Sequence, residues 1–197
     1  MKVEWKRESY EITDLIWRIP NEKIPKIDNV KEIIVKEYEM AILISSGIIK
    51  KVLFPGSYKI SKDVTEIVWI DVSPKTLKFG VSKSSTNLRT ADGKVIGISG
   101  TITLNVRKDE GSVRLFFLKV VAGRKSLNCE QIADYLLRQG ALNSAIQDVI
   151  GKLKLEDLLS INRSKLDDML TSSLAEELKG YGIEVSSVHL VGVAKGS

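Results

Sequence analysis

The chain is poor in the residues that carry chemistry. It has one cysteine, Cys129, and one histidine, His189. A lone cysteine forms no intramolecular disulfide, and with no secretory signal ahead of it the chain is expected in a reducing, cytosolic setting. A structural zinc wants several nitrogen or sulfur ligands, and Cys129 and His189 are the only two strong ones, so no metal site is expected. Cys129 falls in the first turn of an expected helix, where a thiolate is stabilised. A thiol-dependent enzyme using Cys129 would still need the fold to bring His189 to it, plus a third orienting group and an oxyanion hole, and the sequence offers no sign of these. No stretch approaches about 18 uncharged apolar residues. The most apolar candidate, Ala41 to Ile49, stops at Lys50-Lys51, so a membrane would be met from the side. Glycine-rich phosphate loops are missing as well: Gly93, Gly97 and Gly100 lie in and beside a hairpin, not between a strand and a helix. The adjacent carboxylates Glu156-Asp157, Asp167-Asp168 and Glu176-Glu177 point about 100° apart on a helix, as capping or solvated groups rather than acid–base pairs. No catalytic residue, cofactor site or metal site is therefore expected.

What is present is a core. At 197 residues and 43% hydrophobic content, the chain can bury one domain or two small ones. Its net charge of +5 is spread through interspersed lysines and acids. That suits a solvated surface, and it would also help the chain rest on anionic lipid. Nucleic-acid binding would call for a concentrated basic stripe with aromatic platforms, and neither is visible.

The texture reverses near the middle. Ile33 to Lys36, Met40 to Ser45, Ile48 to Leu53, Tyr58 to Ile60 and Val64 to Val72 read as strands, with turns at Ser46-Gly47 and Pro55-Gly56. Val64 to Val72 hardly alternates, so it is expected to be buried on both faces. Thr86 to Thr90 and Lys94 to Arg107 flank Ala91-Asp92-Gly93 as a hairpin, the second arm alternating apolar and polar. Beyond a hinge at Lys108 to Ser112 the language is helical. A short helix is expected over Val113 to Val121. A longer one is capped by Asn128 with Gln131, its buried stripe running Ile132, Leu136, Ile146, Val149, Ile150, Leu153. Leu155 to Leu159 makes a short turn of helix, and Leu166, Met169, Leu170, Leu174 and Leu178 mark a last helix, which Gly180 and Gly182 stop. Ile183 to Val193 returns as a strand. Strands, then helices, then a strand predict an α+β fold, a mostly antiparallel twisted sheet with helices packed on one side. The organisation expected is an arm over residues 1–30, a domain over 31–193 and a tail over 194–197.

The arm carries an apolar set, Ile12, Leu15, Ile16, Trp17 and Ile19, ending at Pro20. Its spacing fits one face of an interfacial helix, whereas in an extended chain Leu15, Trp17 and Ile19 share a face. Ile19 precedes a proline and is thereby pushed away from the α region. Trp5, Leu15, Ile16 and Trp17 are the candidate membrane- or partner-contact residues, because tryptophan favours interfaces where one edge stays wet.

Three segments resemble a known family. Glu37 to Leu43, then Gly47, then Val52-Leu53-Phe54-Pro55-Gly56-Ser57-Tyr58 resembles the opening of the stomatin/prohibitin/flotillin (SPFH, band 7) domain. Thr90-Ala91-Asp92-Gly93-Lys94-Val95 is similar to its T-x-D-G-x-x-V hairpin. Leu158 to Arg163, through Leu178 to Gly182-Ile183-Glu184-Val185, resembles its closing L-L-x-x-R … G-I-x-V pattern. Asp14 to Arg18 and Glu66 to Ile70 resemble a soluble, virion-core-like branch that lacks an N-terminal transmembrane helix. The resemblance implies a non-enzymatic scaffold that self-associates and sits at the cytoplasmic face of a membrane with membrane-protein partners. A soluble protein-binding module without lipid affinity is the alternative. The family usually continues from its last strand into a long coiled coil. Residues 194–197 here form only a tail, a departure that weighs against its large ring or cage assemblies.

Overall fold

The structure is a computed structural model that describes residues 1–7, 14–81 and 88–195. The chain forms two compact units, one from Met1–Ser73 with Val106–Cys129, the other from the described residues of Pro74–Asn105 and Glu130–Ser197.

In the first unit, β4 (Glu39–Ser45) sits between β5 (Ile48–Leu53) and β7 (Glu66–Asp71), and β2 (Ile16–Ile19) adds to β7, giving the antiparallel order β2-β7-β4-β5. The β4–β5 turn needs two positive φ angles, 49° at Ser46 and 81° at Gly47. A second sheet joins β1 (Lys2–Glu4), parallel to β3 (Glu32–Val35), with β6 (Gly56–Lys59) antiparallel on the other side. Alternation along the strands sends Ala41, Leu43, Leu53, Ile67, Trp69 and Ile19 to one face, where they cluster with Val3, Trp5, Val30, Ile33 and Val35 of the second sheet and its approaches. Trp69 Nε1 donates to the Ile34 carbonyl at 3.0 Å, a hydrogen bond that ties the two sheets together.

The opposite face carries Met40, Ile42, Val68 and Ile70. α1 (Glu110–Phe116) packs against β5 and runs into the π-type turn Phe117–Val121, which buries Phe117, Val120 and Val121. Asp109 caps α1 by accepting from Ser112 N at 2.8 Å. β7 is buried from Ile67 to Asp71, as its unbroken apolar run requires.

The second unit has a sheet of order β8-β9-β10, built from β8 (Lys75–Val81), β9 (Ile96–Val106) and β10 (Ile183–Lys195). α2 (Cys129–Arg138), α3 (Ala141–Ile150), α4 (Leu155–Ser160) and α5 (Arg163–Leu178) complete the chain. α5 is capped by Asn162, which accepts from Ser164 N at 2.9 Å. It buries Leu166, Leu170, Leu174 and Leu178 and packs on α3 and β10.

The α+β class and the mostly antiparallel pairing stand. The strands are divided among three sheets rather than gathered in one, because β4 and β7 are apolar on both faces and the short strands β1, β3 and β6 fold over one of them. Two further expectations change. The single long helix after Asn128 is two helices, broken at Gly140, whose φ of 78° leaves the α-helical region. The partner of β9 is β8, paired from Lys75↔Leu104 to Val81↔Ile98. Residues 86–90 supply only the bridge Arg89↔Val95, with 86–87 outside the described residues. β8 carried its own signal, Leu77, Phe79 and Val81 buried in alternation with Thr76, Lys78 and Gly80.

Candidate partner-contact site

The arm is extended, as β1 and β2, and both strands are paired. Ile12 lies outside the described residues. Trp5, Leu15 and Ile16, expected at a membrane or partner contact, are enclosed by the first unit, at 4%, 3% and 4% exposure. They offer no surface in this conformation: Trp5 joins the core cluster between the two sheets, and Leu15 and Ile16 are buried at the start of β2, which pairs with β7. Trp17 differs. It is only half-buried, and it packs on Trp69 with ring centroids 4.9 Å apart. A cavity of about 820 Å³ opens beside it, lined by Trp17, Arg18, Pro20, Lys23, Glu66 and Lys125 among others. A second of about 500 Å³, bounded by Lys2, Val3, Lys6 and Ile24, also reaches Trp17 and Lys23. The indole thus faces two adjoining hollows with lysines on their walls. Asn21 shapes the loop between, its Oδ1 accepting from Lys23 N and Ile24 N, both at 2.9 Å.

Beneath the arm lies a charge cluster that the sequence reading missed. The Arg7 guanidinium stacks 3.9 Å from the Trp5 ring and 4.9 Å from that of Tyr38. Its Nη1 donates to Asp71 Oδ2 at 2.8 Å, and its Nη2 stands 3.5 Å from Glu39 Oε1, too far for a hydrogen bond. Both carboxylate side chains are 0% exposed. Glu39 Oε2 accepts from Lys36 N at 3.0 Å, and Asp71 Oδ1 accepts from Ser73 N at 2.8 Å. Burial raises the Glu39 carboxyl above its ordinary 4.5, opposed by the Lys36 amide and by the charge of Arg7. One cation between two buried carboxylates fastens the arm to β4 and β7. Its one visible signal was a carboxylate at each end of an apolar run, Glu39 opening β4 and Asp71 closing β7.

In the second unit, the Thr90–Gly93 turn is a docking element. Thr90 Oγ1 donates to Asp92 Oδ1 at 2.6 Å, and Asp92 Oδ1 also accepts from Leu155 N at 3.0 Å, at the start of α4. These two bonds, that of Thr90 first, hold the Asp92 carboxyl below its ordinary value. Gln147 copies a strand partner. Its Oε1 accepts from Arg89 N and its Nε2 donates to Arg89 O, both at 2.9 Å. His189 is exposed, with Nδ1 at 3.3 Å from Asp167 Oδ2, and half-buried Cys129, the first residue of α2, itself belongs to the first unit. Among the described residues no three His, Cys, Asp or Glu side chains converge as metal ligands, and no helix is long and apolar enough to cross a membrane.

The motif-bearing residues therefore serve turns and docking. Of the Pro55-Gly56-Ser57-Tyr58 run, Gly56 to Tyr58 lie in β6 against β3, with Tyr58 Oη donating to Phe54 O at 2.9 Å. Asp92 holds the start of α4, and Gly182, at a φ of 72°, turns the chain from α5 into β10. No curated protein matches the chain. The SPFH domain / Band 7 family matches over residues 33–194, from β3 to the end of β10. The chain belongs to the SPFH domain / Band 7 family.

Proposed function

We propose that this chain is a non-catalytic scaffold domain that works by self-association and partner binding at the cytoplasmic face of a membrane. The observation that carries the reading is the family match over residues 33–194, since the family is in general one of membrane-associated, non-enzymatic scaffolds. The domain is taken as residues 31–193 with 1–30 as its arm. Contact through the arm falls to Trp17, the one member of the expected set with an accessible edge, and to the two hollows beside it. Sedimentation velocity over a concentration series, with and without vesicles, tests the reading. Growth of larger species with concentration and co-flotation with vesicles support it. A chain that stays monomeric and ignores vesicles at every concentration refutes it.

A further inference from the structure

We infer that the outward face of α1 and its π-type turn, together with the basic loop that follows, is the surface that meets an anionic bilayer. The inference rests on the membrane-associated reading above and says where that contact is made.

The charge pattern is the first observation. Residues 111–129 contain Arg114, Lys119, Arg124 and Lys125 and not one aspartate or glutamate. Residues 40–62 and 72–91 are equally free of acids, but Lys50 there is paired with Asp63 and those stretches carry β5, β6 and β8, whereas this one is helix and loop. Arg114 pairs with Glu110 at 3.0 Å, Arg124 Nε donates to the Val120 carbonyl at 3.1 Å, and the side chains of Lys119, Arg124 and Lys125 all reach solvent.

The second observation is apolar. Val113, Phe116, Phe117, Val120 and Val121 face the core, yet Leu115 and Leu118, three apart on the outer face, are 39% and 63% exposed. Leucine on a solvent face beside lysine and arginine is the composition of a helix lying in a lipid interface. There the apolar groups enter the acyl boundary and the cations stay among the headgroups. The inner face is already anchored, so the helix need not fold on arrival. The loop end of this surface adjoins the cavity that Gly123 and Lys125 share with Lys23. The acids there are Glu22 and Glu66, the latter 3.5 Å from Arg18.

The alternatives fit less well. Nucleic acid would want aromatic platforms, and this face presents leucines. A second copy meeting the same patch face to face would set cations against cations.

The test is flotation of the full chain with vesicles of phosphatidylcholine alone and of phosphatidylcholine mixed equally with phosphatidylglycerol. It is run at roughly 0.1 M and roughly 1 M salt, where screening lengths differ about threefold. The unaltered chain should float with the anionic vesicles, and binding should fall at high salt. Lys119→Gln with Lys125→Gln should weaken it roughly 25-fold, about fivefold or ~1 kcal/mol per basic group. Leu115→Ser with Leu118→Ser should weaken it at least about tenfold without changing the melting temperature, because neither leucine is buried. If a variant melts lower, the salt series on the unaltered chain decides, and salt-insensitive binding overturns the inference. Vesicle binding that both double variants retain in full overturns this surface and leaves the membrane-associated reading standing. Failure of the unaltered chain to bind either vesicle overturns both. Preference for a single-stranded oligonucleotide over the anionic vesicle, or dimerisation abolished by the leucine changes, overturns it in favour of those partners.

Discussion

The two units fasten their parts by opposite means. In the first, the arm is held through buried charge: one arginine between two carboxylates of 0% exposure, roofed by Trp5 and Tyr38. In the second, the fastenings are neutral or partly solvated and run from side chain to backbone. Gln147 clasps Arg89, Thr171 Oγ1 accepts from Val188 N at 3.0 Å, Asp167 Oδ1 accepts from Leu190 N at 3.0 Å, and Ser173 Oγ donates to the Ala145 carbonyl at 2.8 Å. A buried ion cluster is unforgiving, because removing one member leaves the others charged in a low-dielectric layer. Distributed side-chain-to-backbone bonds fail gradually, each net contribution being about 1 kcal/mol. The first unit should therefore respond sharply to single changes at its cluster, and the second in small steps, except where backbones touch.

Arg7→Ala is the strongest way to break this contrast. It strands Glu39 and Asp71 and should lower stability by about 3–5 kcal/mol. Denaturant unfolding reads the total, and hydrogen exchange should show faster opening of β4 and β7 amides. A loss below about 1 kcal/mol would mean that the cluster is solvated after all.

Gly100→Ala tests the exception in the second unit. A Cβ there would lie 2.3 Å from the His189 carbonyl oxygen, which is backbone and cannot swing aside. Forcing β9 from β10 should cost about 1–3 kcal/mol. Gly80→Ala, in the neighbouring strand with nothing within 4 Å of the new Cβ, is the control and should be near neutral. Equal melting temperatures for the two variants would refute the close approach.

Some of this was legible in the sequence. Unbroken apolar runs announced β4 and β7, and the period-four leucines announced α5, because a buried element must carry its pattern along its own length. β8 was overlooked since its lysines, Lys75 and Lys78, mask an alternation kept only by Leu77, Phe79 and Val81. The arm's apolar residues were recognised, but their pattern left open both packing on the domain and contact with a membrane or partner. Which side of a strand is covered depends on what folds over it, and the second sheet over Trp5 is a tertiary fact. The Arg7–Asp71 pair spans 64 residues, and no local pattern records a contact of that reach.

Asp167→Ala gives a smaller effect and sharpens the other half of the comparison. β10 is an edge strand of its sheet, and its Leu190 and Val188 amides are satisfied by α5 side chains. Losing Asp167 leaves Leu190 N without that acceptor and should cost about 1–2 kcal/mol. It also opens an edge to other chains, so aggregation on heating should rise. Light scattering that stays at the level of the unaltered chain would argue that something else covers the edge.

The smallest effect expected is that of Glu39→Gln, and it separates the two fastenings by pH. The folded-state Glu39 carboxyl lies above its ordinary 4.5, mainly because burial disfavours the charged form. The folded state therefore holds that proton more tightly than the unfolded chain. The stabilisation this brings is fully present below 4.5 and is lost as pH rises through the raised value. Asp92 in the second unit works the other way. Its carboxyl is lowered from 3.8, so its contribution is present above that value and lost as pH falls. Acidifying from neutrality towards 4.5 should thus strengthen the fastening of the arm while leaving the Asp92 contribution intact. Glutamine keeps an acceptor for Lys36 N, carries no charge to bury, and leaves Arg7 its bond to Asp71, so at neutral pH the change should be under about 1 kcal/mol. What the variant should lose is the gain on acidification. Denaturation midpoints measured at neutral pH and near 4.5 should differ less in the variant than in the unaltered chain. An undiminished difference would place the titrating group elsewhere and remove Glu39 from the account of how the arm is held.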